Sequence, residues 1–314
     1  MPRAEDGAPP VAPGRVLVAG SINMDLVVTA PRHPRVGETL LGHAALRFPG
    51  GKGSNQAVAA ARSGAPTAFI GAVGEDDAGS ELRTFLERSG VAVDHLSVVR
   101  GADSGLAYVV VADGDNAVVV IPGANAHVGP EAIARVAIGA GDVLVSQFEI
   151  AERTVHAFFE RGKAAGARTV LNPSPMRPFA DRLWELSDVV VVNELELRHL
   201  CAARGVGVGA DGPLAGLQAL LVREDQAIVA TLGADGCVVA ARDEVVAVPG
   251  HAASVLDTTG AGDCFLGWVA GRLLHGDDLL SATGVANRAS SLCVQRMGAG
   301  SSMPTADEVR QLTG

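Results

Sequence analysis

Positive charge, aromatic side chains and long apolar runs are all scarce in this sequence of 314 residues. Asp and Glu number 35 against 25 Lys and Arg, which gives a formal net charge of −10. Binding nucleic acid by phosphate neutralisation needs the opposite balance, so we expect no nucleic-acid partner. No apolar run approaches the roughly 18 residues of a membrane-spanning helix, so we expect no membrane segment. Residues 1–14 lack the apolar core of a secretory signal, and their Pro/Ala-rich composition predicts a disordered tail.

Cysteine is rare as well, with four residues and no CxxC pair. A disulfide-stapled fold would need denser cysteines, so we expect reduced thiols and a cytoplasmic protein. The eight histidines show neither an HExxH motif nor another ligand spacing, which disfavours a zinc site.

Short β-branched segments alternate with Ala- and Leu-rich segments along most of the chain. Hydrophobic residues make up 48% of the sequence, enough for a large core. The alternation predicts an α/β fold in which helices flank a mostly parallel sheet. The predicted strands are 15–20, 67–74, 142–147, 168–174, 188–194 and 227–233, and the predicted helices are 54–65, 79–90, 152–167, 194–204 and 214–224.

Two stretches, at about 25–50 and 105–125, break this alternation. The second has two apolar runs around an Asp/Gly/Asn turn, the pattern of a β-hairpin. The first contains strand-like runs joined by Pro and Gly. Neither stretch is followed by a crossover helix, so we expect them to form a small β-sheet lid on a single domain of residues 15–314.

Lysine occurs only twice, at Lys52 and Lys163, although the chain has 25 basic residues. Lys52 lies among glycines in "GGKGSNQ", where a compact ammonium fits a narrow pocket better than a guanidinium does. The segment is not a Walker P-loop, because Leu46 and Gly53 occupy positions that the motif requires to be Gly and Ser/Thr. Ordinary helix capping by Asn55 explains the segment about equally well.

Polar residues also follow the predicted strands at their carboxyl ends, where open α/β sheets bind ligands. "GSINMD" places Asn23 and Asp25 after the first strand, and Glu149 follows a later one. A carboxylate can accept hydrogen bonds from both hydroxyls of a diol. Asn and Asp are equally at home in turns, so both interpretations stay open.

Three further motifs are weaker. "NELE" brings Asn193 and Glu196, oxygen-bearing groups that could organise hydrated Mg²⁺, to a helix start where acids are common anyway. "TLGADG" at 231–236 could line a nucleotide with its backbone. "GVGADG" at 207–212 matches GxGxxG but follows a helical segment, so we predict a loop there and not a dinucleotide site.

"DTTGAGD" at 257–263 precedes a helical pattern. An Asp in a first helical turn offsets the helix dipole, which is a sufficient structural reason for its presence. Free N–H groups at a helix start also form an anion site, and Asp263 would lie beside it.

Taken in this order, the motifs together with "PGANA" resemble the PfkB family of carbohydrate kinases from about residue 15 to the C-terminus. The resemblance implies a three-layer fold with a mostly parallel central sheet and a small β-sheet lid that also forms a homodimer contact. It implies that Asp263 is the catalytic base and that the N–H groups of Gly260, Ala261 and Gly262 form an anion hole.

The same resemblance implies the ligand contacts. The sugar would be held by Asn23, Asp25, Gly51, Lys52, Asn55, Glu149 and Asp263. ATP would contact Asn193, Thr231, Gly233, Gly236, Gly262 and Asn287, and Glu196 would organise Mg²⁺ indirectly. A monovalent cation, K⁺, would lie near Asp257, Thr259, Cys293, Arg296, Gly298 and Ser302.

The expected reaction is the phosphorylation of a small sugar by ATP, with D-ribose converted to D-ribose 5-phosphate. Deoxyribose, fructose and adenosine remain alternatives, although the predicted lid segments contain only Phe48 and Tyr108 as aromatic surface for a nucleobase. A sugar-binding regulator without catalysis is a second class, but Asp263 and the glycines beside it are intact.

Overall fold

The computed structural model describes residues 14–112, 115–207 and 213–312. Its strands are β1 Val16–Ala19, β2 Asn23–Thr29, β3 Ala44–Gly50, β4 Thr67–Gly74, β5 Val91–Val99, β6 Gly105–Ala112, β7 Asp115–Ile121, β8 Val143–Gln147, β9 Arg168–Asn172, β10 Val189–Asn193, β11 Ala227–Thr231, β12 Gly236–Ala240 and β13 Val245–Pro249. Its helices are α1 Lys52–Arg62, α2 Asp77–Arg88, α3 Pro130–Ala134, α4 Glu152–Ala165, α5 Asp181–Leu186, α6 Glu194–Ala203, α7 Ala261–Leu274, α8 Leu279–Cys293 and α9 Ala306–Gln311.

A nine-stranded sheet with the order β13-β12-β11-β10-β9-β8-β1-β4-β5 forms the centre of the molecule. The strands from β11 to β5 pair in parallel, and β12 and β13 extend the sheet antiparallel. The strand order reverses at β1, because β4 and β5 are added on one side of it and β8 and the later strands on the other. Such a reversal is where open α/β sheets bind ligands.

The sheet is covered by helices on both faces, which confirms the three-layer expectation. Along β1, Val16 and Val18 join a core that includes α1, α7 and α8, whereas Leu17 and Ala19 join a core that includes α4 and α6. Adjacent residues of a strand point to opposite faces, so β1 is buried on both sides and reads as a continuous apolar run.

A second sheet of four strands has the order β3-β2-β6-β7. Its β2–β3 and β6–β7 pairs are antiparallel, and its central β2–β6 pair is parallel. The hairpin expected near 105–125 is confirmed, with residues 113 and 114 outside the described part. The chain passes from β1 into β2 within three residues and from β3 into α1 after Gly51, so this sheet stands next to the carboxyl end of β1.

All six predicted strands are present, and four of the five predicted helices are confirmed with shifted ends. The helix expected at 214–224 is wrong, because the chain forms short 3₁₀ turns at Pro213–Gly216 and Gln218–Leu220. Leu217 and Leu220 are the buried pair, three residues apart as a 3₁₀ turn requires, and a central glycine disfavours a longer α-helix. Strands β5, β12 and β13 were not predicted. β5 is interrupted by Asp94 and His95, and β12 and β13 follow β11 without an α-helix between them, so the alternation of strands and helices does not mark them.

Two expectations fall largely outside the described residues, namely the disordered tail at 1–14 and the loop at 207–212. All four cysteines are free and buried in the structure. Within the described ranges, no helix has both the length and the hydropathy needed to cross a membrane. The division into one domain with a lid stays a prediction.

Candidate active site

The carboxyl ends of β1 and β8 meet the first turns of α1 and α7, and this junction contains the motifs singled out in the sequence. Asp263 is the third residue of α7 and is only 7% exposed. Its Oδ2 accepts a hydrogen bond from Asn55 Nδ2 at 3.0 Å, and its Oδ1 accepts one from Gln56 Nε2 at 2.9 Å. Two neighbouring residues of α1 therefore hold both oxygens of this carboxylate.

The start of α7 is shaped by Gly260, which caps the helix with φ of 77°. A side chain would be strained in this left-handed conformation, and a Cβ would also lie 3.0 Å from the Cα of Ala299. The first N–H groups of a helix lack intrahelical partners, which makes this end suitable for an anion. The N–H of Ala261 donates to the carbonyl of Thr258 at 3.2 Å, so Gly262 presents its N–H with less competition.

Two cavities meet at this helix start. The smaller has a volume of about 170 Å³ and is polar, with Lys52 and Asp263 among its lining residues. The larger has a volume of about 400 Å³ and extends towards β12 and α8. The residues common to both are Thr231, Thr258, Ala261 and Gly262. A bound molecule could thus extend from the large cavity and present one end beside Asp263.

Of the expected sugar contacts, Lys52 and Asp263 line the small cavity, and the remainder lie around the first turn of α1. Gly51 caps α1. Glu149 accepts the backbone N–H of Lys52 at 3.1 Å and the hydroxyl of Ser21. Glu149 therefore ties the end of β8 to the start of α1.

Asn23 is 2% exposed, and its Oδ1 accepts a hydrogen bond from Asn125 Nδ2 at 2.8 Å. Asn125 also accepts the N–H of Ile22 at 3.0 Å and donates to the carbonyl of Ile22 at 3.1 Å. The "PGANA" segment thus fixes the backbone and side chain at the end of β1.

Negative charge is concentrated around this junction. Burial, together with the nearby charges of Glu149 and Asp263, raises the pKa of Asp25 to about 7. Burial alone would lower the pKa of the Lys52 ammonium. The charges of Asp263, Glu149 and Glu196 outweigh that effect, so the pKa of Lys52 lies above its usual value. Lys52 therefore carries the positive charge in an otherwise acidic pocket.

The expected ATP contacts all line one of the two cavities. Thr231, Gly233, Gly236, Gly262 and Asn287 line the larger one, and Asn193 lines the smaller one. The amide nitrogen of Asn287 donates to the carbonyls of Val248 at 3.2 Å and Pro249 at 3.1 Å, so a nucleotide contact would fall to its oxygen. Residues 250–253 and Val255 also line this cavity, and their sequence contains no motif that would have identified them.

Asn193 and Glu196 form a capping box at the start of α6. Asn193 Oδ1 accepts the N–H of Glu196 at 2.8 Å, and Glu196 Oε2 accepts the N–H of Asn193 at 2.9 Å. The structural interpretation of "NELE" is thereby satisfied, while both residues also line the small cavity. Among the described residues, no cluster of three or more acidic, His or Cys side chains could hold a metal.

The residues expected around a monovalent cation form two groups in the structure. Asp257 accepts the N–H of Thr259 through Oδ1 and the N–H of Gly298 through Oδ2, both at 2.9 Å. Burial works to raise the pKa of Asp257, but these hydrogen bonds outweigh it and the pKa is lowered. Cys293 Sγ lies 3.0 Å from Ser302 Oγ, whereas the Arg296 side chain pairs with Glu308 at 2.6 Å.

The sequence and the fold were compared with those of known proteins. A model of the pfkB family of carbohydrate kinases matches residues 14–306. A ribokinase from Bacillus subtilis is 36% identical over 304 residues, which cover 95% of this chain and 98% of that relative. The crystal structure of a Thermotoga maritima ribokinase has a TM-score of 0.85 at 27% identity and covers 96% of this chain and 99% of its own. Ribokinase from Arabidopsis thaliana, complexed with ribose and ATP, has a TM-score of 0.84 at 28% identity, with the same coverage.

Proposed function

The chain belongs to the PfkB family of carbohydrate kinases, and from this membership we propose that it transfers the γ-phosphoryl group of ATP to D-ribose. The products are D-ribose 5-phosphate and ADP. The observation that carries the proposal is the position of Asp263, a buried carboxylate held by two amides where a polar cavity meets a larger one.

In the proposed reaction, Asp263 accepts the proton of the terminal sugar hydroxyl as that oxygen attacks the γ-phosphorus. The bond between the γ-phosphorus and the bridging oxygen of ATP breaks, and ADP leaves with the electron pair. The N–H groups of Gly260, Ala261 and Gly262 stabilise the charge on the transferred group. Gly262 is the strongest candidate, since the N–H of Ala261 must first leave the carbonyl of Thr258.

The junction beside the small cavity suits a compact polyol. Lys52 and Asp263 line that cavity, and the other expected sugar contacts lie around the first turn of α1, namely Asn23, Asp25, Asn55 and Glu149. A buried polar group without a partner costs about 1–3 kcal/mol, so a ligand with a hydroxyl for each group is favoured. Asn55 Oδ1 is one such group, because it is buried without a partner in the structure.

The larger cavity suits the nucleoside of ATP, with Asn193, Thr231, Gly233, Gly236 and Asn287 as its contacts. Mg²⁺ retains several waters and binds mainly through substrate phosphates, so the single carboxylate of Glu196 fits an indirect role. Mg²⁺ bound with ATP would neutralise charge on the transferred phosphate.

We also propose K⁺ as an activator at Asp257. The lowered pKa of Asp257 keeps the carboxylate ionised, and each of its oxygens accepts one N–H, which leaves capacity for a cation. Thr259 and Gly298 donate these two N–H groups to Asp257. Cys293 and Ser302 would supply further contacts to the cation. Arg296 is the least suited, because its side chain pairs with Glu308.

The four-stranded sheet serves in this proposal as a lid and as the contact of a homodimer. Its edge strand β7 exposes Val118, Val119 and Ile121, and exposed apolar edge strands are normally covered. A second copy of the chain is the proposed cover, and light scattering that gave the monomer mass would contradict it. Four free, buried cysteines support a cytoplasmic location.

A coupled assay of ADP release across D-ribose, 2-deoxy-D-ribose, D-fructose and adenosine tests the substrate. Ribose should give the highest kcat/KM, and mass spectrometry should show one added phosphate on the sugar. The variant Asp263→Asn is the control for ATP hydrolysis outside the site. If the kcat/KM of adenosine or fructose exceeds that of ribose by about tenfold, the ribose assignment is wrong, although the protein is still a kinase. Ribose binding without any ADP release would instead support the regulator.

A further inference from the structure

A line of buried amides lies beneath Asp263 and touches neither cavity. Gln56 in α1 and Gln147 at the end of β8 are both fully buried. Gln147 Nε2 donates to Gln56 Oε1 at 2.9 Å, and Gln56 Nε2 donates to Asp263 Oδ1 at 2.9 Å. Three elements of the fold are therefore joined in one chain of hydrogen bonds that ends on the carboxylate.

The direction of this chain follows from the chemistry of its last member. An ionised carboxylate only accepts hydrogen bonds, so Gln56 must present its nitrogen to Asp263. The oxygen of Gln56 then faces Gln147, which must donate through its own nitrogen. The charge of Asp263 thus determines the orientation of two amides in sequence.

The arrangement is costly for a core position. Gln147 Oε1 is buried without a hydrogen-bond partner in the structure. The amide packs directly against Gly20, where a Cβ would lie 2.4 Å from Gln147 Oε1. An apolar side chain at position 147 would avoid the unpaired oxygen, so packing alone does not explain a glutamine at this place.

We propose that Gln56 is a positioning residue that ties Asp263 Oδ1 to the core, and that Gln147 holds Gln56 in the required orientation. Oδ2, which lies on the Asn55 side, is then the atom that accepts the proton from the sugar hydroxyl. An oxygen of a carboxylate can accept a second hydrogen bond while it is bonded to Asn55. The inference rests on the proposed role of Asp263 as the base.

The test uses Gln56→Met, Gln147→Met and the double variant of the full-length protein, assayed with the preferred sugar. Gln56→Met should lower kcat by about 10- to 100-fold with the sugar KM nearly unchanged, because the base is misplaced but the sugar contacts remain. Gln147→Met should cause a smaller loss of the same kind. The double variant should be no slower than Gln56→Met, because Gln147 acts only through Gln56.

Gln226→Met is the matched control. Gln226 is another buried amide, and its Nε2 donates to the carbonyls of Trp184 at 2.8 Å and Ser187 at 2.9 Å, away from the two cavities. Its loss should lower the melting temperature and leave kcat unchanged. If Gln226→Met lowered kcat as much as Gln56→Met does, general destabilisation would explain both losses and the inference would be overturned.

Other outcomes also overturn it, namely a wild-type kcat in Gln56→Met or losses that multiply in the double variant. If Gln56→Met does not fold, Gln147→Met alone must lower kcat without raising the sugar KM. Failure of the proposed function looks different, because the wild-type protein would then phosphorylate no sugar at all. That result would overturn both proposals, whereas an active wild type with unaffected variants overturns this one alone.

Discussion

Replacing Asp25 with Asn should make the protein more stable at pH 8 while weakening its hold on ribose. Burial, together with the charges of Glu149 and Asp263, raises the pKa of Asp25 from 3.8 to about 7. In the unfolded chain the Asp25 carboxyl ionises near its ordinary pKa. Above that pH, the folded protein must either keep Asp25 protonated or bury its negative charge beside two other carboxylates. The amide of Asn has nearly the same shape and carries no charge.

The sign follows from proton binding. Between pH 4 and 7 the folded state holds a proton on Asp25 that the unfolded state has lost, so stability falls as the pH rises. The penalty is complete above pH 7, and a pKa rise from 3.8 to about 7 corresponds to about 4 kcal/mol. Asp25→Asn should remove this penalty at pH 8 and change little at pH 4.

Urea unfolding of both proteins at pH 5, 6, 7 and 8, without ligand, measures the effect. Glu308→Gln is a control of opposite sign, because Arg296 and Thr305 lower the pKa of Glu308 to about 2. Its contribution is present above the ordinary pKa of glutamate and is lost as the pH falls towards 2, so this variant should be destabilised at pH 5 to 8. A stability difference between wild type and Asp25→Asn that does not grow with pH would refute the reasoning.

Three further changes address catalysis and binding. Asp263→Asn should lower kcat by about 10²–10⁴, with calorimetry still showing sugar binding, and near-normal turnover would remove Asp263 from the mechanism. Lys52→Arg should weaken sugar binding although the charge is kept, because a guanidinium fork is too broad for this site; an unchanged dissociation constant by calorimetry would contradict this. Replacing choline by K⁺ at constant ionic strength should raise the rate in wild type but not in Asp257→Ala, and equal rates in both buffers would count against the cation site.

The motifs whose chemistry is local could be recognised from the sequence. "DTTGAGD" combines the glycine, the helix start and the acid within seven residues, and the structure has Gly260 with φ of 77° capping α7. The six buried parallel strands were equally recognisable, because a strand covered on both faces is apolar over most of its length. The segment 214–224 was not, since a leucine repeat of three residues fits both an α-helix and a 3₁₀ turn.

What only the tertiary structure decided is which distant residues meet. Gln56 is 207 residues from Asp263 and 91 from Gln147 along the chain, yet hydrogen bonds join all three. Asn125 likewise fixes Asn23 from a segment 102 residues away. No local pattern marks a glutamine inside a buried strand as a partner of a remote carboxylate. The order of the strands in the sheet decides which of these distant residues come into contact. The role of a side chain in the site therefore depends on neighbours that reach it only when the chain has folded.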